Sequence, residues 1–183
     1  MGERGREAGH SLVELLIAAA LLALVMAATL SILQSGLAAS GWSSGRVEAQ
    51  QAARVALERM ARELREAGYD PASAGIEAVV VAEPARIVFQ RDLNGNGVID
   101  PTHERVTYLL RAGESTLRRD AGGGAQPIAE GVRRFALTYF DARGAPTGAP
   151  AQMASIRIEL ETGRPGPQSI MASQVMLRNA PIW

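Results

Sequence analysis

Residues 15–33 read LLIAAALLALVMAATLSIL, a stretch with no charge, no glycine and no proline. As an α-helix it rises about 28 Å, close to the ~30 Å hydrocarbon thickness of a bilayer. No second run of this kind follows, so the sequence predicts a single membrane crossing. Arg4 and Arg6 precede the run, and no further arginine comes until Arg46, a bias that favours an N-in orientation with the remainder outside. One acid, Glu14, stands between Leu12-Val13 and Leu15-Leu16. An ionisable group in a membrane segment costs roughly 2.5–3.5 kcal/mol and calls for a partner. Either headgroups solvate Glu14 at the membrane edge, or a cation from another chain meets it. Ala19, Ala23, Ala27 and Ser31 recur every four residues, a stripe of small side chains that lets membrane helices approach closely; an alanine-rich chain also produces such a stripe by composition alone.

Composition narrows the chemistry. The 183 residues fit about one domain. Nineteen cations balance nineteen acids, so charge predicts no nucleic-acid partner. Every cation is arginine, which excludes a Schiff-base or P-loop lysine. The absence of cysteine excludes disulfides, thiol catalysis and cysteine zinc sites. Two histidines, His10 and His103, are too few and too far apart for a histidine metal cluster. No Ser-His-Asp set and no marked pair of carboxylates stands out, so the sequence predicts no enzyme.

Beyond the apolar run, residues 34–46 (QSGLAASGWSSGR) read on their own as a loop. From Val47 to Ala67 the pattern is helical: Ala53, Leu57, Met60, Leu64 and Ala67 form one stripe. Arg54, Glu58, Arg59, Arg62, Glu63, Arg65 and Glu66 lie outside that stripe and read as a solvated face, with Glu58 and Arg62 at pairing distance. Gly68 and Tyr69-Asp70-Pro71 end the helix. The period then changes to strands, expected at Glu77–Ala82, Arg86–Gln90, Arg105–Leu110, Ser115–Arg118, Val132–Phe140, Ser155–Glu161 and Ser169–Arg178. Turns containing Gly and Pro join them, which predicts an antiparallel sheet covering the helix stripe, an α+β fold.

Gly9-His10-Ser11-Leu12-Val13-Glu14-Leu15-Leu16 resembles the cleavage and N-methylation motif of type IV prepilins and type II secretion pseudopilins. His10 departs from that family's usual Phe. The resemblance implies that a prepilin peptidase cuts after Gly9 and methylates the new amine on His10. It implies a leader at 1–9, a membrane-spanning first half of one long helix at 10–36, its second half at 37–70, the helix continuing through the glycine-rich stretch with a kink or a melted turn there, and an extracytoplasmic sheet domain at 71–183. It further implies a pilin-like fold, an inner-membrane protein before assembly, and other pilin or pseudopilin subunits as partners. Glu14 would pair with a neighbour's N-terminal amine, a group largely cationic at neutral pH. Arg62 to Pro71, Glu104 to Tyr108, Gly131 to Asp141 and Leu177-Arg178-Asn179 resemble PilW-like minor pilins and J-type pseudopilins. The competing reading of the N-terminus is a secretory signal cut near Ala38-Ala39-Ser40, although its apolar run exceeds the usual 7–15 residues.

Asp92-Leu93-Asn94-Gly95-Asn96-Gly97-Val98-Ile99-Asp100 carries oxygen donors at alternate positions, the spacing of a calcium loop. Asp92, Asn94, Asn96, the Val98 carbonyl and Asp100 are the candidate ligands. The twelfth position falls on His103, with Glu104 one further on. Asn94-Gly95 and Asn96-Gly97 are equally strong turn dipeptides. The sequence predicts no cofactor unless this loop takes calcium. A membrane-anchored, extracytoplasmic calcium-binding module is the alternative to a filament subunit.

Overall fold

The computed structural model describes residues 11–163 and 168–179, with the backbone alone at 38–44 and 46. The chain divides between Gly45 and Arg46 into two units. One element, helix α1 (Leu12–Arg65, 54 residues), enters both. Residues 34–46 are helical throughout, glycines included. A glycine costs a helix about 1 kcal/mol relative to alanine. Nucleation is the expensive step, so extending a helix between two strongly helical segments is cheaper than stopping and restarting it.

In the first unit the described side chains from Ser11 to Leu37 are all exposed, among them Leu15, Leu16, Ile17, Leu21, Leu22 and Leu24. Its hydroxyls turn inward on the helix. Thr29 donates to the Val25 carbonyl (2.8 Å), and Ser35 donates to the Ser31 carbonyl (2.9 Å). Such back-bonding leaves these polar groups satisfied in an apolar surrounding.

The second unit holds the core. Among the described residues eight strands follow the helix: β1 (Val79–Glu83), β2 (Arg86–Gln90), β3 (Arg105–Leu109), β4 (Thr116–Asp120), β5 (Gln126–Glu130), β6 (Val132–Phe140), β7 (Ser155–Thr162) and β8 (Ser169–Met176). They form two antiparallel sheets, β1-β2-β3-β4-β5 and β6-β7-β8, where the sequence reading expected one. Strand β5 was not expected, and β8 stops before Leu177 and Arg178. A single residue, Gly131 at φ 72°, separates β5 from β6 and turns the chain from one sheet into the other. Hydrogen bonds join the sheets: the Leu137 amide donates to the Pro84 carbonyl (2.8 Å), the Val132 amide to Ser115 (3.0 Å), and the Tyr139 hydroxyl to Glu83 (2.8 Å).

The predicted stripe Ala53, Leu57, Met60, Leu64 and Ala67 is buried, packed with Phe89, Val106, Tyr108, Leu117 and Leu160. Full burial of each large side chain is worth roughly 1.5–3 kcal/mol, which is what holds this half of α1 to the sheets. Phe89 and Tyr108 stack, with ring centroids 6.2 Å apart. Gly68, at φ 73°, closes the helix and donates its amide to Gln90 (2.8 Å). A Cβ there would lie 2.8 Å from that of Ala78, so the left-handed backbone and the close approach both require glycine.

Candidate functional site

Gly9 and His10 lie outside the described residues. Glu14 sits in the first turn of α1, exposed, and is the only charged side chain between Ser11 and Gly45. A carboxylate in the first turn opposes the positive end of the helix dipole, a favourable local setting. Leu12–Leu37 is long and apolar enough to cross a membrane. Ala19, Ala23, Ala27 and Ser31 are exposed along it. Among the described residues, nothing within the chain covers this apolar surface. Lipid or other apolar helices are the surroundings that suit it.

The loop between β2 and β3 is built around two buried carboxylates. Asp92 is fully buried, and its carboxylate accepts the amides of Gly95 (2.7 Å), Asn96 (3.2 Å) and Gly97 (2.8 Å). Glu104, also buried, comes in from the far end of the loop. One of its oxygens accepts the amides of Leu93 (3.0 Å) and Asn94 (3.2 Å), and the other accepts the Asp100 amide (2.8 Å). Asn94 accepts from the Asn96 amide and Asn96 from the Val98 amide. Asp100 accepts from Thr102, whose amide and hydroxyl hold its carboxyl below the usual range. Neither Asp92 nor Glu104 joins an ion pair among the described residues. By side-chain grouping, no three His, Cys, Asp or Glu among the described residues are placed to hold a metal. The remaining candidate donors are amide and carbonyl oxygens.

A third cluster was not foreseen. Glu63, read as part of a solvated face, instead lies against the sheet with only 13% of its side chain exposed. It accepts from Arg59 (3.1 Å), the Tyr108 hydroxyl (2.8 Å) and Arg119 (3.0 Å). Burial pushes its carboxyl up, but hydrogen bonds from Arg119, Tyr108 and Arg59 outweigh that, and its pKa lies below the ordinary glutamate value. Burial and the adjacent carboxylate push the Tyr108 phenol up. The signal was in the spacing: Glu63 follows Met60 by three and adjoins Leu64, so it borders the buried stripe. The expected Glu58–Arg62 pair does not form; Glu58 takes Arg54 (3.2 Å). Arg91, largely buried, reaches Glu66 at the helix end. These contacts pin α1 to the β2–β4 region.

Residues 4–30 match the family model described as the prokaryotic N-terminal methylation motif. The match covers the segment containing Gly9, His10 and Glu14 and runs well into the apolar half of α1. No curated protein matches the chain. The motif supports a type IV pilin-like protein, made as a prepilin and processed by a prepilin peptidase. The fold agrees with it: a long N-terminal apolar helix followed by antiparallel β-sheets.

Proposed function

We propose that the chain is a minor subunit of a type IV pilus-like or type II secretion filament, of the PilW or J-type kind. The N-terminal methylation motif over residues 4–30 carries this reading. A prepilin peptidase cuts after Gly9 and methylates the amine of His10. The chain waits in the inner membrane, N-terminus in the cytoplasm and sheets in the periplasm. Assembly moves the apolar helix from lipid into a bundle of like helices, with the Ala19, Ala23, Ala27 and Ser31 stripe at a close contact. Glu14 meets the N-terminal amine of a neighbour, so two charges otherwise stranded in an apolar medium neutralise each other. The role is structural, not catalytic. Intact mass and N-terminal sequencing of protein taken from its native membrane test the processing step. A chain beginning at methylated His10 is the expected result. A chain beginning near Gly41, or an uncut one, overturns it.

The Asp92–Asp100 loop adds a second element to this reading, calcium. What supports it is the pair of buried carboxylates, Asp92 and Glu104, neither of which joins an ion pair among the described residues. Buried negative charge without a counter-charge is costly, and a hard cation with oxygen ligands relieves it. Asp92, Asn94, Asn96, the Val98 carbonyl and Asp100 are the oxygens it would take. Calcium should then raise the melting temperature by several degrees relative to chelator, and Asp92→Asn should abolish the difference. An unchanged melting temperature removes calcium from the account.

A further inference from the structure

Two sheets have four edges, and three of them are blunted. Strand β1 carries a register shift between Val79 and Val81. Strand β5 contains Pro127 and lies across a shift between Leu117 and Arg118. Strand β6 has a shift between Val132 and Arg134, carries Arg133 and Arg134, and bridges to Pro146 through Phe140. Bulges, prolines and charges are the usual devices that stop an edge from recruiting another strand. The fourth edge, β8, has none of them. Its sequence is SIMASQVM, and all eight residues pair in unbroken register with β7. Ile170 and Met176 stand exposed on it, at 65% and 73%. Every second residue of such a strand turns its amide and carbonyl outward, free to accept a further strand.

Beside this edge lies a groove of about 600 Å³, lined by Met171 and Ala172 of β8 and by Arg54, Glu58, Arg62 and Arg65 of α1. Arg54 is taken by Glu58. Arg62 and Arg65 join no ion pair among the described residues. The edge therefore offers backbone hydrogen bonds, a small apolar floor and two free guanidinium groups on one wall. We infer that β8 is a docking edge for an extended, acidic segment of another protein, added as a fourth strand to the β6-β7-β8 sheet. Charge selects this occupant over a second copy of the chain. A two-fold pairing of β8 with β8 brings two arginine-lined walls together, and like charges there oppose association. Strand addition supplies affinity through the main chain, and the arginines supply selectivity for carboxylates. The inference stands on the sheet edge and does not depend on filament assembly.

The test uses the full chain in neutral detergent and a fluorescein-labelled ten-residue peptide of alternating Glu and Val. Saturable binding is expected by anisotropy, with slowed amide hydrogen exchange confined to β8 in the bound state. The double variant Arg62→Glu/Arg65→Glu should weaken binding at least about tenfold, since both side chains sit on the groove wall and outside the core. A matching Lys–Val peptide should not bind. Absence of saturable binding, unchanged exchange at β8, or equal affinity of the double variant overturns the proposal. Sedimentation showing a β8-dependent dimer without peptide also overturns it, by making a second copy the occupant.

Discussion

Glu63 shows how much one side chain can decide. It ties the helix to strands β3 and β4 through Tyr108 and Arg119, and both its oxygens are occupied. Glu63→Gln keeps the shape but leaves the half-buried Arg119 without its counter-charge. The expected loss is roughly 2–3 kcal/mol, read by chemical denaturation in detergent. The acid side of the stability profile gives a second reading. Because the folded carboxyl titrates below the ordinary glutamate range, its contribution is fully present above that range and is lost as pH falls through the lowered value. The variant should show a shallower decline on the acid side of the ordinary glutamate range than the parent. An identical slope would mean that other carboxylates dominate acid unfolding.

At the scale of elements, the legible parts were those where one pattern acts alone. Strands β2 and β6 have the bounds that alternation predicts, and the buried helix stripe is the predicted one. Strand β5 escaped because Pro127 breaks its pattern and Gly122, Gly123 and Gly124 stand just before it. A proline is tolerated on a sheet edge, and β5 is one. The solvated reading of Glu63 failed because a face is a matter of degrees around a helix, and Glu63 borders the core. Residues 34–46 read as loop from composition and are helix from context. There the glycines are not needed for contact: nothing lies within 4 Å of a Cβ built at Gly36 or Gly45. Gly36→Ala and Gly45→Ala should therefore each stabilise α1 by about 0.5–1 kcal/mol, seen as slower amide exchange across 34–46. A loss of stability would reveal a close neighbour in the membrane or the filament.

At the scale of the molecule, the N-terminal motif was legible because a short, fixed spacing of residue types carries it. The division into two sheets was not, since a hairpin and a change of sheet at Gly131 look alike in sequence. The candidate calcium residues were read as a set of oxygens, but the reach of Glu104 into the loop depends on how β3 begins. The proposed assembly role has its own test. Glu14→Ala should leave membrane insertion intact, because removing a charge lowers the insertion cost by roughly 2.5–3.5 kcal/mol. It should abolish incorporation into filaments, measured by fractionating sheared filaments from membranes. Normal incorporation would sink the role given to Glu14.

The hold of Asp92 on its loop has a consequence for chemical ageing. Asn-Gly steps lose ammonia when the glycine nitrogen attacks the asparagine side-chain carbonyl to form a cyclic imide, and this chain has two such steps side by side. Both attacking nitrogens, those of Gly95 and Gly97, donate to the Asp92 carboxylate. A nitrogen held there is kept from swinging onto Asn94 or Asn96. The folded loop should thus outlast ordinary Asn-Gly sequences, and Asp92→Ala should shorten its chemical lifetime, visible by peptide mapping as conversion of Asn94 and Asn96 to acids. Equal conversion in parent and variant would show that some other restraint guards them.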